Sequence, residues 1–170
     1  MLTLYLFRHA KSAWDDPSLA DFDRPLATRG ESAAPAMAAY MKAKGLRPDL
    51  VLCSAARRTR DTWALMAGTL GQPRTTYLDE IYEAEPSALA TAIRRAPSDA
   101  RRLMLIGHNP GLEDLAHGLI ASGDRDGRKA LAEKFPTAAL AVIDFDIETW
   151  RDLAPATGRL TLFMIPKRLP

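Results

Sequence analysis

The stretch Thr3-Leu4-Tyr5-Leu6-Phe7-Arg8-His9-Ala10 decides how the chain is read. Thr3 to Phe7 is an unbroken apolar or β-favouring run, the pattern of a strand covered on both faces. It ends abruptly in a cation beside an imidazole. The tip of a strand is a rigid place to hold reactive groups, and ligands of open α/β sheets sit beyond the carboxyl ends of the strands. A guanidinium suits forked recognition of an anion, and an imidazole acts as nucleophile or acid–base group near neutral pH. An Arg-His pair can equally close an edge strand at the surface, so its meaning depends on the rest of the chain.

Working outward, Lys11 to Leu26 is rich in Asp and Pro and reads as a long loop leaving the candidate site. Thr28 with Glu31 has capping-box spacing, and Arg29 to Lys44 reads as a helix stopped by Gly45. Pro35 should kink that helix or delay its start. Pro48–Cys53 is a second strand, Ser54 a cap, and Ala55–Leu70 a helix closed by Gly71. Thr75–Leu78 is a short strand and Ser87–Arg95 a short helix. Arg102–Gly107 is the most uniform buried strand, running into His108-Asn109-Pro110-Gly111, with a helix over Leu112–Ile120. Ser122 to Gly127 reads as a loop. Ala138–Phe145 and Leu160–Ile165 are two final strands. Strands alternating with helices predict a three-layer α/β sandwich around a mostly parallel central sheet.

Composition narrows the function classes. A chain of 170 residues, 47% hydrophobic and 26% charged, is expected to form one globular domain over residues 1–170. A net charge of +2 with no basic block argues against nucleic-acid or membrane-surface binding. Cys53 is the one cysteine, so an intramolecular disulfide and a cysteine-built metal cluster are excluded, and a buried structural thiol is expected. No signal-like segment or long apolar run is seen, so a cytoplasmic location and no membrane association are expected.

Three strand ends carry basic residues: Arg8-His9, the segment Ser54 to Thr62, and Gly107-His108. Parallel strands bring their carboxyl ends to one sheet edge, so these segments can converge into a pocket for a tetrahedral anion such as a phosphoryl group. Ser54, Arg58 and Thr62 share one helix face that can point into it, whereas Arg57 and Arg60 point elsewhere. The nucleotide-binding glycine motifs are absent. The histidines lack zinc-binding spacing, and no metal or other cofactor is expected.

In these motifs and their order the chain resembles the histidine phosphatase superfamily, with its phosphoglycerate-mutase-like fold, and within it the small SixA-type phosphohistidine phosphatases. The likeness extends to Asp23-Arg24-Pro25-Leu26 and Phe135-Pro136-Thr137-Ala138. Ala10 departs from it, standing where the superfamily usually has Gly. The resemblance implies that His9 is the nucleophile that takes the phosphoryl group, while Arg8, Arg58 and His108 bind its oxygens and stabilise the moving charge. His9 would then need a neutral nitrogen, with the other held by a hydrogen bond, a backbone carbonyl being the expected acceptor. Glu80 stands where larger relatives keep a catalytic acid, with Glu83 and Asp16 as rivals. His117, within a helix, is expected to be a surface or satisfied residue.

The span between Leu78 and Leu103 has room for one short helix, so no large cap insertion is expected. An open pocket suits a phosphorylated side chain on a protein, such as a histidine phosphotransfer domain or phosphocarrier. The competing expectations are a broad phosphomonoesterase or mutase acting on small phosphoesters, and a non-catalytic phosphate-binding module.

Overall fold

The computed structural model describes residues 1–170. Seven strands form one sheet: β1 Leu2–Arg8, β2 Leu50–Ser54, β3 Arg74–Leu78, β4 Arg102–Gly107, β5 Ile120–Gly123, β6 Leu140–Phe145 and β7 Gly158–Met164. Five helices accompany them: α1 Thr28–Ala43, α2 Arg57–Met66, α3 Pro86–Arg94, α4 Gly111–Leu119 and α5 Arg125–Glu133. The strand order is β3-β2-β4-β1-β6-β7-β5. β6 is antiparallel to both neighbours, and every other pairing is parallel. The mostly parallel α/β sheet expected from the sequence is therefore present.

The alternation of side chains along each strand builds two cores. In β1, Leu2, Leu4 and Leu6 face one way and meet Leu89 and Ile93 of α3, Leu112 and Leu115 of α4 and Leu131 of α5. Tyr5 and Phe7 face the other way and meet Met37 and Met41 of α1 and Trp63 and Met66 of α2. β4 splits likewise, Leu103 and Leu105 against Met104 and Ile106. Helices thus cover both faces, which is why these strands read as continuous apolar runs. Truncating a fully buried side chain such as Leu6 should cost about 2–5 kcal/mol.

β4 lies between β1 and β2 in the sheet. The three carboxyl ends that deliver His9, Ser54 and His108 are consequently adjacent. Between β3 and β4 the chain holds only a 3₁₀ turn at Asp79–Ile81 and α3, so there is no large cap insertion.

Three local expectations are corrected. The cap of α1 is Ala27, not Thr28; the N–H of Glu31 donates to the Ala27 carbonyl, and Thr28 lies in the first turn without a capping bond. Pro35 does not delay the start of that helix, which runs from Thr28 through it to Ala43. Ser122 to Gly127 is not one loop. Gly123 ends β5, and Asp124 caps α5 by accepting the Gly127 N–H at 2.8 Å.

No helix is long and apolar enough to cross a membrane. The Cys53 thiol is buried, and burial pushes its pKa up, consistent with a structural role.

Candidate active site

The sheet brings the four residues expected to form the pocket onto one edge. Arg8 ends β1, His9 follows it, Arg58 lies in the first turn of α2, and His108 follows β4. The rings of His9 and His108 are 5.3 Å apart, centroid to centroid. His9, Arg58 and His108 are buried. Ser54 ends β2, and Ala56 rather than Ser54 caps α2, so only Arg58 and Thr62 of the assigned face lie on the helix. Both are buried, the Arg58 side chain being 6% exposed against 54% for Arg57, which pairs with Asp61. Arg60 stacks over Tyr77. His117 is exposed.

His9 is held in a defined state. Its Nδ1 lies 2.7 Å from the Ala10 carbonyl oxygen, an acceptor only, so Nδ1 carries the proton and Nε2 keeps its lone pair. Burial pushes the imidazole pKa down to about 3 against the opposing pull of that hydrogen bond, and Arg58, Arg8 and Arg24 lower it further. The ring is therefore neutral near pH 7, as a nucleophile must be. Ala10 is buried and its φ is not positive, so its methyl group fits this backbone where glycine is usual. The Ala10 N–H donates to Thr62 Oγ1, whose own hydroxyl donates to the Arg58 carbonyl, tying the segment after β1 to α2.

Arg8 is anchored from behind. Its Nη1 donates to the Phe135 carbonyl at 3.0 Å, and Asn109 Nδ2 donates to the same oxygen. The N–H of Ala138, a residue at φ 60°, reaches the carbonyls of both Arg8 and His9. A left-handed alanine is a strained choice that the surrounding structure must hold in place. Here it fixes the carboxyl end of β1. Three buried polar side-chain atoms lack a protein partner: Arg8 Nε, His108 Nδ1 and Asn109 Oδ1. Two of these belong to the basic residues of the pocket, the third to the neighbour of His108. Arg8 Nε and His108 Nδ1 can donate and Asn109 Oδ1 only accepts, and all three are closed to solvent, so they are orphaned within the wall of the site rather than presented to a ligand.

His108 is neutral too. Burial lowers its pKa to about 3, with His9, Arg58 and Arg8 adding to the effect and Asp21 opposing it.

The sequence reading missed a second layer. Asp21, in a short 3₁₀ turn, accepts hydrogen bonds from Arg58 on its carbonyl (2.8 Å) and carboxylate (3.1 Å), from Arg24 at 3.0 Å and from the Tyr82 hydroxyl. Burial raises the Asp21 pKa, but the bonds from Tyr82, Arg24 and Arg58 outweigh it and hold the carboxyl well below the usual range. Tyr82 is pushed up to about 12 by burial and its bond to Asp21. Its ring packs edge-on against His108 and Phe22. Arg24 is buried, bonded to Ser12 and the Ala13 carbonyl, and lies under the exposed ring of Trp14. Asp21 and Tyr82 sit in turns without periodic signal; the quoted Asp23-Arg24 pair was the one pointer to this layer.

The structure does not join Glu80 to the pocket. It is exposed in the Asp79–Ile81 turn and forms no hydrogen bond or ion pair with Arg8, His9, Arg58 or His108. Its rival Glu83 reaches Arg58 at 3.9 Å. Asp16 is exposed and bonded to Ser18. No group of three or more His, Cys, Asp or Glu side chains is arranged to hold a metal ion.

A strand-end pair of neutral histidines between guanidinium groups defines a class, and comparison with known proteins agrees. The chain belongs to the histidine phosphatase superfamily, branch 1, whose family model matches residues 4–102. An uncharacterised protein of Mycobacterium tuberculosis is 35% identical over 162 residues, covering 94% of this chain and 99% of that one. The chain is also similar to a protein of Agrobacterium tumefaciens provisionally named phosphohistidine phosphatase SixA. That structure superposes with a TM-score of 0.82 at 34% identity, over 97% of this chain and 98% of that chain. A protein histidine phosphatase SixA complexed with tungstate superposes with a TM-score of 0.80, over 99% of this chain and 100% of that chain. At 22% identity, that likeness concerns the fold.

Proposed function

We propose that the protein is a phosphatase that passes the phosphoryl group through a phosphohistidine on His9, acting on phosphohistidine in proteins. The observation that carries this reading is the state of His9: buried, neutral, with Nδ1–H tied to the Ala10 carbonyl and Nε2 free. A purely binding pocket for a phosphate would be served better by a charged donor than by a neutral nitrogen with a lone pair.

In this reading His9 Nε2 attacks phosphorus in line as the bond to the leaving group breaks. Water then attacks the phosphorus of phosphorylated His9, releasing inorganic phosphate and restoring the imidazole. Such transfers depend mainly on positioning and on stabilising charge over the equatorial oxygens. In this reading Arg8, Arg58 and His108 do that without a metal, so turnover should persist in a chelator. Tungstate is a tetrahedral oxyanion like phosphate, and its presence in the SixA neighbour is in keeping with such a pocket.

The protein-substrate reading draws on the absent cap insertion and on the phosphohistidine phosphatase names of the similar structures. Its test is a turnover panel of phosphohistidine proteins, sugar phosphates and an aryl phosphate, each with excess EDTA. Higher kcat/KM on phosphohistidine is expected. Preference for a sugar phosphate would replace the reading with a small-molecule phosphatase.

A further inference from the structure

Beside the phosphoryl pocket lies a cleft of about 640 Å³. Five cations line it, Lys11, Arg29, Lys134, Lys167 and Arg168, against one acid, Glu133. The whole chain carries a formal charge of only +2, so this surface holds far more positive charge than the average. None of the five makes a side-chain hydrogen bond or ion pair, whereas Arg57, Arg74 and Arg102 at other surfaces are each paired with an aspartate.

The topology places the cleft on the same sheet edge as His9. Lys11 is two residues beyond His9. β7 runs in the direction of β1, because each is antiparallel to β6, so Lys167 and Arg168 follow a strand's carboxyl end as His9 does. Arg29 is in the first turn of α1, after the loop that leaves β1, and Lys134 closes α5 just ahead of β6. Thr137 of the cleft precedes Ala138, whose N–H holds the Arg8 and His9 carbonyls.

We propose that this cleft docks an acidic segment of the phosphorylated protein substrate, next to the residue whose phosphoryl group enters the pocket. The proposal rests on the reading of the substrate as a protein. The form of the site favours a polypeptide over a small anion. A caged oxyanion needs buried donors converging at fixed geometry. Here the cations stand on four separate segments, four of them exposed, and none is fixed by a hydrogen bond. Phe163 and Ile165 give the cleft an apolar floor. Spaced carboxylates on an extended chain, with apolar side chains between them, match that arrangement, and complementary charge of this kind also speeds encounter.

The test uses the double variant Lys134→Glu/Arg168→Glu, two exposed residues outside the catalytic set. A fluorescein-labelled acidic peptide without phosphate is titrated and followed by anisotropy, beside a neutral peptide of equal length. We expect the acidic peptide alone to bind, and to bind about tenfold more weakly to the variant or in raised salt. With phosphohistidine peptides, acidic flanks should raise kcat/KM through KM, and the variant should erase that advantage. Turnover of p-nitrophenyl phosphate should be unchanged, which also reports that the variant is folded. Lys134→Gln/Arg168→Gln should shift the same quantities less. Failure of the acidic peptide to bind, or equal binding to wild type and variant, would overturn the proposal. Failure of the enzyme to hydrolyse phosphohistidine peptides while it hydrolyses the aryl phosphate would instead overturn the substrate reading, and anisotropy would still decide on the cleft.

Discussion

Ser54 Oγ lies 2.7 Å from Nε2 of His108. Ser54 accepts the Ala56 N–H at 3.3 Å and keeps both a proton and a lone pair for the imidazole; we propose that its hydroxyl is the donor. His108 is neutral, and a neutral ring that accepts on Nε2 carries its proton on Nδ1. That nitrogen is buried without a protein partner. With Ser54 as donor, the end of β2 sets the tautomer of a histidine delivered by β4, placing its proton on Nδ1 inside the wall of the site.

Ser54→Ala should therefore lower kcat about tenfold, in line with the loss of one well-placed hydrogen bond. The nitrogen-15 shifts of His108 should also move toward the other tautomer. A drop in stability with an unchanged tautomer signature would mean that Ser54 only packs.

The two depressed histidine pKa values have a pH signature. In an NMR titration neither ring should protonate between about pH 5 and 8, where a free imidazole does. The folded values are about 3 against an ordinary 6.5. The unfolded chain therefore binds more protons in that window, and stability should fall as pH drops from 6.5 toward 3. His9→Ala removes one such group, so its urea midpoint should decline less steeply with acid than that of wild type. Parallel declines would show that burial does not depress His9.

Asp21 holds Arg58 but also places a negative charge beside an anion pocket. Asp21→Asn keeps the shape and removes the charge. Inorganic phosphate should then inhibit at concentrations several-fold lower, because opposite charges are no longer shared. Weaker inhibition would mean that aiming Arg58 matters more than competition for it.

The leaving-group acid was expected at Glu80; of its rivals, Glu83 comes within 3.9 Å of Arg58, and we propose it for the role. Glu83→Gln should slow alkyl phosphate hydrolysis by about 10²-fold and phosphohistidine hydrolysis less, since a phosphoramidate nitrogen leaves with different proton demands. Glu80→Gln should change neither. The reverse pattern would restore Glu80.

The sheet was legible because its strands are covered on both faces. Arg102–Gly107 is an apolar run bounded by charge and glycine, and it was read with the bounds that the structure shows. β5 and α5 were hidden for the opposite reason. Their boundary, Ser122 to Gly127, is turn formers except for Arg125, and α5 buries only Gly127 and Leu131. Arg8, His9, Arg58 and His108 were legible because each follows a strand or shares a helix face with buried neighbours. Asp21 and Tyr82 were not, because they meet across a sequence gap of 61 residues and no local pattern records that contact. Both Glu80 and Glu83 are exposed, and only the fold of the turn shows that Glu83 alone comes within reach of Arg58.

The central claim is that His9 carries the phosphoryl group, and trapping the adduct tests it most directly. A phosphoramidate is acid-labile, so the enzyme should be mixed with labelled substrate and denatured in alkali. We expect label retained in alkali, lost on acid treatment, mapped to the peptide containing Arg8-His9, and absent from His9→Ala together with turnover. Label on His108, or substantial turnover by His9→Ala, would contradict the assignment.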